Sequence, residues 1–216
     1  TGSGKTIAFG VPVVERTDPG VRTPSALILV PTRELALQVA EALQTFAPAK
    51  SLKVALAYGG APVRRQAEQL KGAHVVVATP GRLQDLVERR LVSLEAIRIL
   101  VLDEADRMLD MGFRPQVERI VRRVPRDRQT MLFSATLDGE VGVLAREYTR
   151  DPSRFEARRE EQHEDGEIAH HFVPVTQDGK LDTLVDLLEA EAGLSLVFVR
   201  TKRGADRLTD KLKRRG

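Results

Sequence analysis

Two short stretches of this sequence carry residue types suited to a nucleoside triphosphate. The first is "TGSGKT", Thr1 to Thr6. Gly2 and Gly4 let the backbone turn so that N–H groups face an anion. Lys5 can reach terminal phosphates, and Thr6 offers a hydroxyl to Mg²⁺, all at the start of a helix. Thr1, Gly2, Ser3, Gly4, Lys5 and Thr6 form the candidate nucleotide-binding loop. The second stretch is "ILVLDEAD", residues 99–106, an apolar strand ending in carboxylates. Carboxylates at the C-terminal end of a strand sit where ligands bind in open α/β sheets. Asp103 suits the Mg²⁺ coordination sphere, partly through water, and Glu104 suits a general base that polarises an attacking water. The first stretch alone favours a nucleotide site over a chance Gly-rich turn, while the second alone is also fairly read as a solvated acidic turn. Together they make hydrolysis of ATP or GTP the leading reading, with Lys5, Asp103 and Glu104 as its catalytic groups.

Such residues need a sheet to hold them. "ALILV" (26–30), "VALAY" (54–58), "HVVVA" (74–78), "IRILVL" (97–102) and "TMLF" (130–133) are short, β-branched and apolar on both faces, the pattern of buried parallel strands. Between them Leu35, Val39, Leu43 and Phe46 share one helical face, and Leu181, Leu184, Val185 and Leu188 do so later. Pro12 lies inside the helix that follows Lys5, where a kink is expected. Strands alternating with helices over short loops imply βαβ units in an open parallel sheet flanked by helices, an α/β fold. After about residue 150 the composition shifts. Residues 151–167 are mostly charged and read as a linker. The pattern then restarts with strand-like "IAHHFVPV" (168–175), a helix and strand-like "LSLVFV" (194–199). One nearly complete domain (1–150) and the opening of a second (168–216) are expected.

Composition sets the outer limits. The chain has 216 residues, 42% of them hydrophobic, and a net charge of +3. From Arg200 to Arg215 there are eight Lys or Arg against Asp206 and Asp210. There is no cysteine, which excludes disulfides and thiolate metal sites. No run approaches the roughly 18 apolar residues of a membrane span, so a soluble, cytoplasmic protein is expected. His170 and His171 are adjacent on a predicted strand and point to opposite faces, which disfavours a shared metal.

With these residues in view, the chain resembles the DEAD-box RNA helicases. Asp103-Glu104-Ala105-Asp106 spells DEAD, and the family's other motifs stand in its order: "PTRELALQ" (31–38), "GG" (59–60), "TPGR" (79–82), "SAT" (134–136) and "LVFVRTKR" (196–203). The resemblance implies two RecA-like domains, here the first and the start of the second, with ATP and Mg²⁺ as cofactors and RNA as partner. It implies that Lys5, Thr6, Asp103 and Glu104 serve ATP and Mg²⁺. Ser134 and Thr136 would couple that site to the RNA face, partly through hydrogen bonds to Asp106. Pro31, Thr32, Arg33, Gly60, Thr79, Gly81 and Arg82 would contact RNA backbone, as would Arg200 and Thr201 of the second domain. Seven Phe, two Tyr and no Trp leave little for base stacking, so sequence-independent binding by a monomeric core is expected. A helicase and an ATP-gated RNA clamp share all of these motifs.

The resemblance also sets an expectation of incompleteness. The family's adenine-reading segment and the strand feeding the phosphate loop would precede Thr1, and its arginine-bearing motifs would follow Gly216. Without that strand the sheet is expected to have two unpaired interior edges, leaving these 216 residues poorly folded and nearly inactive on their own.

Overall fold

The computed structural model describes residues 4–156, 169–176, 178–191 and 193–215. The chain divides into two compact units, Thr1–Phe155 and Glu156–Gly216. The first is built on five parallel strands, β1 (Ala26–Leu29), β2 (Val54–Ala57), β3 (Val75–Ala78), β4 (Ile99–Leu102) and β5 (Gln129–Leu132), in the order β2-β3-β1-β4-β5. Register is continuous across the centre: Ala26 of β1 pairs with Val75 on one side and Ile99 on the other. All five predicted strands are present. They pair without a gap, so the expected pair of interior edges does not exist among the described residues. Instead β5, half-exposed along its length, forms one margin of the sheet and β2 the other.

Helices cover both faces because both faces are apolar. Ile28, Val77 and Val101 point to one side, where they meet α1 (Lys5–Arg16) and α2 (Arg33–Phe46) through Phe9, Val13, Leu35, Val39 and Leu43. Leu29, Val76 and Leu100 point to the other, under α3 (Val63–Leu70), α4 (Pro80–Glu88) and α6 (Arg114–Val121). Two more helices complete that unit: the short α5 (Ala105–Asp110) and α7 (Gly139–Tyr148). Helix α1 runs unbroken through Pro12. Its Phe9 ring packs against Phe133 just past β5, with centroids 5.2 Å apart, which docks the helix near the ends of β4 and β5.

The second unit contains α8 (Lys180–Ala190) and α9 (Lys202–Lys213). Here the sequence reading needs correction. Residues 169–175 and 194–199 form no strand, and Phe172, Leu194 and Phe198 are almost fully exposed. A buried parallel strand requires neighbours and a covering layer on each face, and two short segments with two helices do not supply them. The predicted linker falls largely on residues 157–167, outside the described residues, as does residue 168 of the first of these segments.

The loops entering the strands are tied together by His74, which is nearly buried. Its Nδ1 accepts from the Lys53 N–H at 2.8 Å, so the ring proton resides on Nε2, which donates to the Pro19 carbonyl at 3.2 Å. Replacing His74 by Phe leaves that N–H and that carbonyl unpaired. The expected cost is about 1–3 kcal/mol, read as a lower urea midpoint at unchanged m-value.

Candidate functional site

Since the five strands are parallel, the loops leaving them gather at one end of the sheet. Gly4 stands there at the N-cap of α1 with φ 69°, a left-handed conformation that suits glycine, and its carbonyl accepts from the N–H groups of Ile7 and Ala8. Lys5 and Thr6 open that helix, so its unpaired N–H groups and dipole face the same space. Thr1, Gly2 and Ser3 lie outside the described residues.

Asp103 follows β4 directly and is 5% exposed. Its Oδ1 accepts from the Glu104 N–H at 3.0 Å. Burial is the main influence on this carboxyl and pushes its pKa above the usual carboxylate range. The Glu104 N–H opposes that rise, and the positive charge of Lys5 opposes it further. A buried carboxylate whose charged form is disfavoured is a group that gains from a cation. Glu104 is held with φ 50° and ψ 52°, a left-handed conformation uncommon outside glycine, at the N-cap of α5. Such backbone strain clusters at functional sites. Its carboxylate accepts from Arg107 at 3.1 Å across a partly exposed ion pair, a contact of small worth that is easily given up.

Asp106, in the first turn of α5, reaches the loop after β5. Its Oδ2 accepts from the Ala135 N–H at 3.3 Å. The link expected through Ser134 and Thr136 therefore runs through the backbone between them. The Ser134 hydroxyl instead accepts from the Thr136 N–H at 3.4 Å. A second backbone bond, from the Ala105 N–H to the Phe133 carbonyl, fastens the same two loops.

The loops after β1, β2 and β3 form a neighbouring cluster. Pro31 is buried, and Thr32 caps α2, its hydroxyl accepting from the Leu35 N–H at 3.2 Å. Arg33 is exposed and lies 4.9 Å over the Tyr58 ring. Gly60 has φ 86°, and a side chain there would meet the Arg33 guanidinium. Thr79 is nearly buried at the N-cap of α4, while Gly81 in its first turn is open to solvent. Arg82, expected as an RNA-backbone contact, is half-buried. Its Nη1 donates to the Ala61 carbonyl at 2.8 Å and to Gln66 Oε1 at 2.6 Å. Gln66, 3% exposed, in turn donates to the Tyr58 carbonyl at 3.1 Å. Gln66 and Tyr58 escaped the sequence reading. The available signal was a glutamine on the apolar face of α3, where only a bonded polar group is tolerated. Arg200 and Thr201 belong to the second unit, where Thr201 caps α9 by accepting from the Gly204 N–H at 3.0 Å.

An open parallel sheet with a Lys-Thr helix start and a strand-terminal Asp-Glu pair at its C-terminal edge defines a nucleotide-binding α/β domain of the phosphate-loop kind. Comparison with known proteins narrows the class. A model of the DEAD/DEAH box helicase family matches residues 1–142, and the chain belongs to that family. It is 43% identical over its whole length to the DEAD-box ATP-dependent RNA helicase CshA of Streptococcus pneumoniae serotype 4, covering 41% of that protein. It is 40% identical to CshA of Bacillus subtilis, covering 44%. The chain thus spans less than half the length of these curated relatives. A crystal structure of a DEAD box protein from Methanococcus jannaschii matches all of this chain and 58% of its own, with a TM-score of 0.71 and 38% identity.

Two substitutions test this geometry. Asp103→Asn keeps the acceptor for the Glu104 N–H and removes a charge whose burial is unfavourable. The folded-state pKa lies above the unfolded value, so the wild-type penalty is complete above the folded pKa and disappears as pH falls toward the model-peptide range. Without nucleotide, the variant should therefore melt at a higher temperature near pH 7, and the advantage should vanish on acidification. Gln66→Leu should cost about 1–3 kcal/mol and raise amide exchange at Gly59–Ala61 selectively.

Proposed function

We propose that this chain is the nucleotide-binding core of an ATP-dependent RNA helicase, which hydrolyses ATP to separate short RNA duplexes locally and without sequence preference. The observation that carries the reading is the gathering of Lys5, Thr6, Asp103 and Glu104 at one end of a single sheet, beside an open cluster of loops and helix starts. Lys5 and the N–H groups of α1 hold the terminal phosphates. The Glu104 carboxylate, once parted from Arg107, takes the proton of the attacking water. The hard oxygen donors Asp103 and Thr6 fit Mg²⁺, which is typically held by one or two protein ligands and the nucleotide's phosphates. When bound, that ion neutralises charge on the transferred phosphoryl group.

RNA lies across the neighbouring loops, with Pro31, Thr32, Arg33, Gly60, Thr79, Gly81 and Arg82 forming or shaping the surface. Backbone N–H groups, hydroxyls and guanidinium groups there meet phosphates and fix position without reading bases. The bonds from Asp106 to Ala135 and from Ala105 to Phe133 carry a change at Glu104 to the loop holding Ser134 and Thr136. The second unit is the opening of a second RecA-like domain, with Arg200 and Thr201 on its RNA face. The whole acts as a monomeric core in the cytoplasm. No helix among the described residues is long and apolar enough to cross a membrane.

In the full-length protein, Lys5→Ala should abolish ATP binding. Glu104→Gln should retain binding while RNA-stimulated hydrolysis falls by about 10²–10⁴. Wild-type turnover by the Glu104 variant would reject the base assignment. RNA-stimulated hydrolysis without release of a short duplex strand would favour an ATP-gated clamp.

A further inference from the structure

The loops entering the strands share the opposite end of the sheet, and their charge is lopsided. Residues 17–25, 51–53, 71–74, 89–98 and 122–128 hold ten Lys or Arg against Asp18, Glu95 and Asp127, although the whole chain is only +3. The loops leaving the strands, 30–32, 58–62, 79, 103–104 and 133–138, hold three carboxylates and no Lys or Arg. Some of the ten cations are engaged internally. Arg89 pairs with Asp85, Lys71 with Glu68, and Arg128 donates to the Val124 and Pro125 carbonyls. Arg90, Arg122, Arg123 and Arg126 are exposed, as is Arg119 one turn earlier on α6. Among the described residues none of these five has a carboxylate within ion-pairing distance.

Three of the five converge. A cleft of about 210 Å³ separates α4 from α6, with Val87 and Ile120 as its floor and Arg119, Arg122 and Arg123 along one wall. Glu88 stands on the other side, its carboxylate taken by the Gln84 amide at 2.6 Å. Guanidinium groups one helical turn apart have Cβ atoms about 5–6 Å from each other, and each offers a planar fork for a phosphate. The five loops contain no Phe, Tyr or Trp. A protein partner would favour an apolar, aromatic centre, and base stacking would require aromatic rings. Phosphate recognition requires neither.

We propose that this arginine-lined end is a second RNA-binding surface. It would hold the phosphate backbone of RNA flanking the segment engaged at the opposite end, and it rests on the functional reading above. It adds affinity for extended RNA and takes no part in hydrolysis. The test is an Arg119→Gln/Arg122→Gln/Arg123→Gln variant of the full-length protein against wild type, each titrated with two RNAs. One is a short single strand, and the other is that strand extended by a duplex. The variant should bind the extended RNA about tenfold or more weakly, with a salt slope shallower by about 3. Its affinity for the short strand and its ATPase rate at saturating short RNA should be unchanged. Equal affinity of both proteins for the extended RNA overturns the proposal. So does equal weakening on both RNAs, or displacement of the extension by polyglutamate as readily as by unrelated RNA. Melting temperature checks folding; if the triple variant is destabilised, the exposed Arg126→Glu substitution must reproduce the selective loss or the proposal fails. If wild type does not bind the short strand, the functional reading falls; if it binds neither RNA, both do.

Discussion

The burial of β1, β3 and β4 on both faces is the constraint from which the rest of this domain follows. Strands covered by helices on either side have no room for polar side chains along their length, so chemistry is confined to their ends. Parallel pairing then sorts those ends. Every chain exit faces one way and every entry the other, with a helix between them. The Asp-Glu pair after β4 and the Lys-Thr start of α1 are separated by almost a hundred residues of sequence, yet the sheet brings them to one edge. That edge needs no dedicated cavity. It is assembled from loop backbone and helix starts, which are suited to anions because their N–H groups lack intrahelical partners.

Holding charge at such an edge works against stability in the unliganded state. Asp103 lies against the apolar end of β4, where burial outweighs the help it receives from the Glu104 N–H and from Lys5. Glu104 occupies a left-handed conformation that a glycine would adopt more readily. Both costs are local, and both are carried by a sheet with long apolar runs on either side. The arrangement fits a site whose ground state favours its ligand because the empty state is uncomfortable. The neighbouring loops are stabilised instead: Gln66, Arg82 and the Tyr58 carbonyl form a closed set of hydrogen bonds that fixes the turn at Gly60.

How much of this was legible in the sequence depended on whether the signal was local. The five strands of the first unit were readable because each is a short, mainly apolar run set between helical patterns. The family was readable because a Gly-rich Lys-Thr stretch and a strand-terminal Asp-Glu pair are rare together at such spacing. The Gln66 brace was hidden, since its partners come from two other loops and a lone glutamine on a helix carries no indication of them. The backbone route from Asp106 to Ala135 was hidden for a similar reason: a main-chain donor leaves no trace in residue identity. The segments at 169–175 and 194–199 failed in the opposite direction. Their composition is that of strands, but a parallel strand is a property of its neighbours. Local apolarity was present there and the pairing was not.

Parallel topology has one further consequence, for electrostatics. Separating the loops into two sets also separates the charges they carry, and here the two sets differ in sign. The strand-exit loops carry Asp103, Glu104 and Asp138, while Lys5 and Arg33 stand beside them at helix starts. Under the proposed function, RNA would be met there by oriented N–H groups and by Arg33 beside Tyr58 rather than by loop charge. The difference in charge between the two sets of loops follows from strand direction and loop composition alone.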